Sequence, residues 1–116
     1  MKPTLHHVAS VRRTAKGDVK GMMRAIFDGG PIACGVHAEG LLKYKGGILV
    51  DADHGATSDD HSVALVGWGV EQNIPFWVVQ NNWGSAWGEG GFVRMRRGVD
   101  LLGIEGGCHV PMVGGL

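Results

Sequence analysis

His61 is the residue whose setting could do chemistry. It follows Asp60 and opens the apolar stretch Ser62 to Val70. Further along, Asn81 closes a second apolar stretch, Ile74 to Gln80, and is followed by Asn82-Trp83-Gly84. Strands over 62–70 and 74–80, joined by the turn Glu71-Gln72-Asn73, put the start of one beside the end of the other. His61 and Asn81 then share one rim. A histidine oriented by a side-chain amide is the acid–base half of a Cys-His-Asn nucleophilic site. The amide oxygen accepts from one ring nitrogen and fixes the tautomer, while the other nitrogen faces a thiol. Trp83 beside the pair would keep water from that hydrogen bond and strengthen it. A plain hairpin rim would hold the same two residues without chemistry, and spacing alone leaves that open.

Other constellations fall short. Cys34 stands in the right order for Cys-His-Asn, but Ile32, Cys34 and Val36 alternate onto one apolar strand face. A nucleophilic thiol needs an accessible, electropositive seat such as a helix N-terminus, so Cys34 is not expected to be one. Asp51, Asp53 and Gly55 imitate the start of a calcium loop, yet the twelfth position, which needs a carboxylate, is Ser62. The six histidines lack the paired helical spacing and CxxC companions of zinc sites. His6, His7, His37, His54 and His109 therefore read as surface or loop residues. The glycines lack the GK[ST] ending of a phosphate loop. No metal and no cofactor is expected.

The scaffold for these side chains is small. At 116 residues and 12.3 kDa the chain supports one core. Eleven basic and eleven acidic residues cancel, which argues against a nucleic-acid partner or a polybasic membrane anchor. No apolar run approaches the ~18 residues of a membrane span, and MKPTLHHVASVRR carries no signal-peptide core. Twenty-one glycines without a Gly-X-Y period point to a turn-rich, β-rich domain. Two cysteines allow one disulfide or two buried thiols.

A weak strand-like run, LHHVASV, lies in the basic first sixteen residues. The clearest helix is Gly17 to Asp28, with Val19, Met22, Met23, Ile26 and Phe27 as its core stripe. Lys20 and Arg24 take the wet side, and Asp18 suits the positive end of the helix dipole. Gly29-Gly30-Pro31 stops it. Strand-like segments follow at 32–36, 47–50, 62–70, 74–80 and 92–96, separated by the acidic loop 51–60 and the Trp–Gly loop 81–91. One helix and five or six strands give an α+β domain with a mostly antiparallel sheet or half-barrel.

Several spaced motifs then carry a family resemblance over residues 17–113. GGPIACGVHAEGLLKYKGGILV, DHSVALVGWGV, FWVVQNNWGSAWGEGGFVRMRRG and LGIEGGC occur in order, and together resemble the C-terminal half of papain-family cysteine peptidases. GPIACG, GWG and IEGGC are most similar to the cathepsin Z (cathepsin X) subgroup. The resemblance implies a papain-like fold, here only its C-terminal antiparallel β half-barrel with one preceding helix. It implies His61 as general base, Asn81 as the orienting amide and Trp83 as the indole shielding their bond. Asp60 matches the residue preceding that histidine, near the scissile bond. Gly35 and Gly107 match positions that line a substrate pocket. Cys34 and Cys108 are expected to be disulfide-bonded. Asn82 stands where serine is usual, and its side chain is expected to point away from the pair.

The larger departure concerns the nucleophile. The family carries it in a C-G-S-C-W motif with an oxyanion-hole glutamine just before it, well upstream of the histidine. Neither motif occurs in this chain. Residues 1–116 are thus expected to be the His/Asn-bearing part of a peptidase domain, inactive without its nucleophile-bearing N-terminal half. The implied partners are that half and a peptide or protein substrate, and the implied location is lysosomal or secreted. The alternative is a non-catalytic fragment that only binds peptides or a partner.

Overall fold

The computed structural model describes residues 10–52 and 60–112. The chain runs β1 (Ser10–Arg13), α1 (Val19–Gly29), β2 (Ile32–Val36), a 3-10 turn (Ala38–Leu41), β3 (Ile48–Leu49), β4 (His61–Glu71), β5 (Ile74–Gln80), β6 (Phe92–Arg96) and β7 (Cys108–Met112). The seven strands form one sheet in the order β1-β7-β2-β4-β5-β6-β3. All neighbours are antiparallel except β3 and β6. The expected α+β class with a mostly antiparallel sheet is what the chain adopts.

Local chemistry explains the elements. Asp18 caps α1, its carboxylate accepting from the Gly21 N–H at 3.0 Å. The helix therefore starts at Val19, two residues inside the expected Gly17 boundary. At the far end Gly30 takes φ 91° and donates its N–H to the Ile26 carbonyl at 2.8 Å, and Pro31 follows. β4 and β5 are joined by Gln72 and Asn73, both left-handed at φ 51° and 66°. Two such residues make the tight turn whose twist suits a hairpin. A register shift between Leu65 and Gly67 bulges β4. The strand-like LHHVASV lies mostly outside the described residues, as do 53–59 of the acidic loop with Asp53, His54 and Gly55.

One core joins helix and sheet. α1 packs on β2, β4 and β7, and Met22, Ile32, Leu41, Leu65, Trp77, Val79, Val93 and Met95 are fully buried there. The sequence stripe of α1 proves too wide. Met22, Ala25 and Ile26 are buried, whereas Val19 and Met23 are only partly so and Phe27 is 75% exposed. Each residue turns the helix by about 100°, so Phe27 stands a full step past Ile26 and faces water. Arg24 is paired along the helix with Asp28 at 2.8 Å.

β2 keeps the expected alternation, with Ile32, Cys34 and Val36 inside. Cys34 and Cys108 face each other across β2 and β7, Cα atoms 4.4 Å apart, and form a disulfide. That spacing is the close, non-hydrogen-bonded kind of antiparallel pair.

Candidate functional site

The hairpin brings His61 and Asn81 together. Ala64 pairs with Gln80, so the first residues of β4 lie beside those that follow β5. His61 Nε2 lies 2.7 Å from Asn81 Oδ1. The same oxygen accepts the Asn82 N–H at 2.8 Å, and Asn81's own N–H donates to the Gly91 carbonyl at 3.0 Å. An amide turned the other way would oppose its NH2 to the Asn82 N–H, so Asn81 presents oxygen to the ring. Nε2 therefore donates, and Nδ1 is the nitrogen left to accept a proton. Asn81 is 8% exposed, and its Nδ2 has no partner among the described residues. Asn82 turns its side chain to the Ser62 carbonyl, 3.3 Å away.

A run of aromatic contacts holds the face of the imidazole. Trp83 stacks on His61 with ring centres 5.0 Å apart and planes 27° off parallel. Trp87 meets Trp83 edge-on at 5.4 Å and Tyr44 at 5.4 Å. Trp83 is 36% exposed. Trp87 is anchored through its Nε1–H to the Leu41 carbonyl at 3.0 Å. Gly88 allows this loop to close, because a Cβ there would come within 2.6 Å of the Phe92 carbonyl oxygen.

Behind the loop sits a charged clamp that spacing did not reveal. Arg94 grips Glu89 with two 2.9 Å bonds and reaches Glu71 at 2.6 Å. Glu89 also accepts the Gly47 N–H at 2.9 Å, and the Tyr44 hydroxyl donates to the Gly47 carbonyl at 2.5 Å. The Arg94 guanidinium holds the Glu89 carboxyl below its usual range. Glu89 and Glu71 in turn hold Arg94 in its charged form. Burial pushes the Tyr44 phenol above its usual value. A second hidden anchor is Glu105, 3% exposed, whose carboxylate accepts from Trp77 Nε1, the Gly98 N–H and the Asp100 N–H at 2.9, 2.6 and 3.1 Å. It ties the segment before β7 to the core tryptophan.

Beside His61 lies a cleft of about 310 Å³, and Gly35, Asp60 and Gly107 all line it. Asp60 turns one oxygen to the Ala38 N–H at 3.0 Å. Arg13 and His109 also line the cleft and are bonded to each other at 3.3 Å. The sequence marked neither for this place, because β1 and β7 pair across nearly the whole chain. His37 is not in this cleft. It precedes the 3-10 turn with Nε2 3.5 Å from Glu39. Among the described residues no three of His, Cys, Asp and Glu converge as a metal-ligand set, and no helix is long and apolar enough to cross a membrane.

The family model for "Papain family cysteine protease" matches residues 2–112. The chain belongs to the papain family of cysteine proteases. This family member is 40% identical over 102 residues to a cathepsin B-like cysteine proteinase 6 of Caenorhabditis elegans, covering 87% of the chain and 26% of that protein. It is 48% identical over 75 residues to a viral cathepsin of Spodoptera exigua nuclear polyhedrosis virus, covering 65% of the chain and 22% of that protein. Its fold superposes on the digestive procathepsin L 3 of Tenebrio molitor larval midgut with a TM-score of 0.84, at 29% identity, over 91% of this chain and 36% of that one. A mite-allergen structure, from work on antibody cross reactivity between Blo t 1 and Der p 1, gives 0.87 at 28% identity, over 92% and 36%. The chain thus spans about a quarter of the curated relatives' length.

Proposed function

We propose that residues 1–116 are the histidine- and asparagine-bearing part of a cathepsin Z-like cysteine peptidase that works with an N-terminal, nucleophile-bearing part. The observation that carries this reading is the 2.7 Å bond from His61 Nε2 to Asn81 Oδ1 under Trp83, which leaves Nδ1 as the basic nitrogen. In that role His61 Nδ1 takes the thiol proton, and Asn81 keeps the resulting imidazolium oriented. The thiolate adds to a peptide carbonyl carbon and its electron pair moves to oxygen. The adduct collapses to a thioester, the C–N bond breaks, and the leaving amine takes the proton from His61. Water, giving a proton to His61, then attacks the thioester, and the thiol leaves with that proton as the acid is released. Substrates are peptides or proteins. Asp60, Gly35 and Gly107 would face the substrate from the cleft beside His61. The blocks GPIACG, GWG and IEGGC support the cathepsin Z-like assignment. The Cys34–Cys108 disulfide supports an oxidising location, lysosomal or secreted.

One observation favours a second reading, a non-catalytic peptide-binding module. Both of the chain's cysteines are consumed by the disulfide, so the chain alone offers no thiolate. The two readings part in one experiment: join the chain in frame to the nucleophile-bearing half of a papain-family peptidase and assay peptide-amide hydrolysis. Turnover that His61→Ala abolishes is expected. Turnover indifferent to His61→Ala overturns the catalytic reading, and no turnover in a folded fusion favours the binding module.

A further inference from the structure

We infer that Arg13 makes the cleft beside His61 selective for a peptide carrying an acidic side chain, an assignment that rests on the peptidase reading and sharpens it. β1 pairs with β7 so that Arg13 stands opposite His109. Its guanidinium is laid over Gly107: a Cβ built there would meet Arg13 Nε at 3.0 Å and Nη2 at 3.1 Å. Gly107, at φ 124°, thus gives up its side-chain volume to a cation and holds a backbone shape that other residues rarely adopt.

Among the described residues no carboxylate lies within ion-pair distance of Arg13. Asp60 shares the cleft, but directs an oxygen at the Ala38 N–H instead. His109 can only accept from Arg13, which occupies the Nε2 lone pair and leaves the guanidinium its remaining donors. The cleft carries no side chain at Gly35, and over Gly107 its floor is the Arg13 guanidinium itself, so a chain passing His61 can lower one side chain to Arg13. A planar carboxylate matches the guanidinium fork with two charge-assisted bonds, while a lysine side chain meets like charge.

The test is binding to the 116-residue chain of three blocked peptides: acetyl-Ala-Glu-Gly-Phe amide and its Leu and Lys counterparts, at low salt to limit screening. The Glu peptide is expected to bind roughly tenfold more tightly than the Lys peptide, shifting the amide NMR signals of Gly35 and Gly107. Arg13→Lys keeps the order, Arg13→Ala levels it, and Arg13→Glu reverses it, with melting curves confirming that each variant is folded. Equal affinity for the Glu and Lys peptides, absence of binding by all three, or a preference unmoved by Arg13→Glu overturns the assignment. The fused enzyme separates the two ideas. Turnover without charge preference sinks the cleft assignment and leaves the peptidase reading. A Glu preference in binding without any turnover sinks the peptidase reading and leaves the cleft.

Discussion

At His61 the orientation of one amide decides which nitrogen can act. Asn81 Oδ1 serves two donors, the His61 Nε2–H and the Asn82 N–H, so the neutral ring carries its proton on Nε2. Nitrogen-15 NMR of the chain should report that tautomer, and Asn81→Ala should let the ring drift to a mixture. In the fused enzyme the same change should lower turnover about 10- to 100-fold, the worth of a hydrogen bond to a charged group. A smaller loss than twofold would mean that Asn81 does not orient the ring. This pair was legible because a hairpin rim is local: two strands, one turn and two polar residues at matching ends. Glu105 was not, since a single glutamate in a glycine-rich tail has no period to betray its burial. Glu105→Ala strands three donors and should cost about 3 kcal/mol in urea unfolding. A loss below about 1 kcal/mol would show those donors rehydrated.

Among the elements, α1 and the Trp loop show two ways of being fixed. Helix α1 is held by its inner face, so Met22→Ala should cost about 2–4 kcal/mol, and Phe27→Ala far less. Comparable losses at both positions in thermal melts would contradict the packing described. The sequence stripe overstates Phe27 because apolar identity is not burial, and the sheet covers only part of the helix circumference. The short parallel pairing of β3 with β6 was equally hidden, for two residues carry no pattern. The Trp loop is held instead by Glu89 and Arg94. Glu89's carboxyl is lowered in the folded chain from an ordinary value of 4.5. Its stabilising effect is therefore complete above that value and lost as pH falls through the folded value. Glu89→Gln should flatten the acid limb of the stability curve below pH about 4.5, while an unchanged limb would assign it to other groups.

For the molecule as a whole, β7 stitches the end of the described chain back to its middle. The disulfide spans a sequence separation of 74, and closing a loop of that order should contribute about 4 kcal/mol by restricting the unfolded chain. The pairing implied by the family resemblance and the strand register agree here, although no local signal joins Cys34 to Cys108. In the catalytic reading proposed above, the rim of His61, Asn81 and Trp83 is one half of a site. The most direct test is the rate of peptide-amide hydrolysis by the 116-residue chain alone and fused to a nucleophile-bearing half. The chain alone is expected to show no thiol-reagent-sensitive turnover, and the fusion to show turnover that falls by at least about 100-fold in His61→Ala. Turnover by the chain alone that a thiol reagent stops, or a fusion indifferent to His61→Ala, would contradict the catalytic reading.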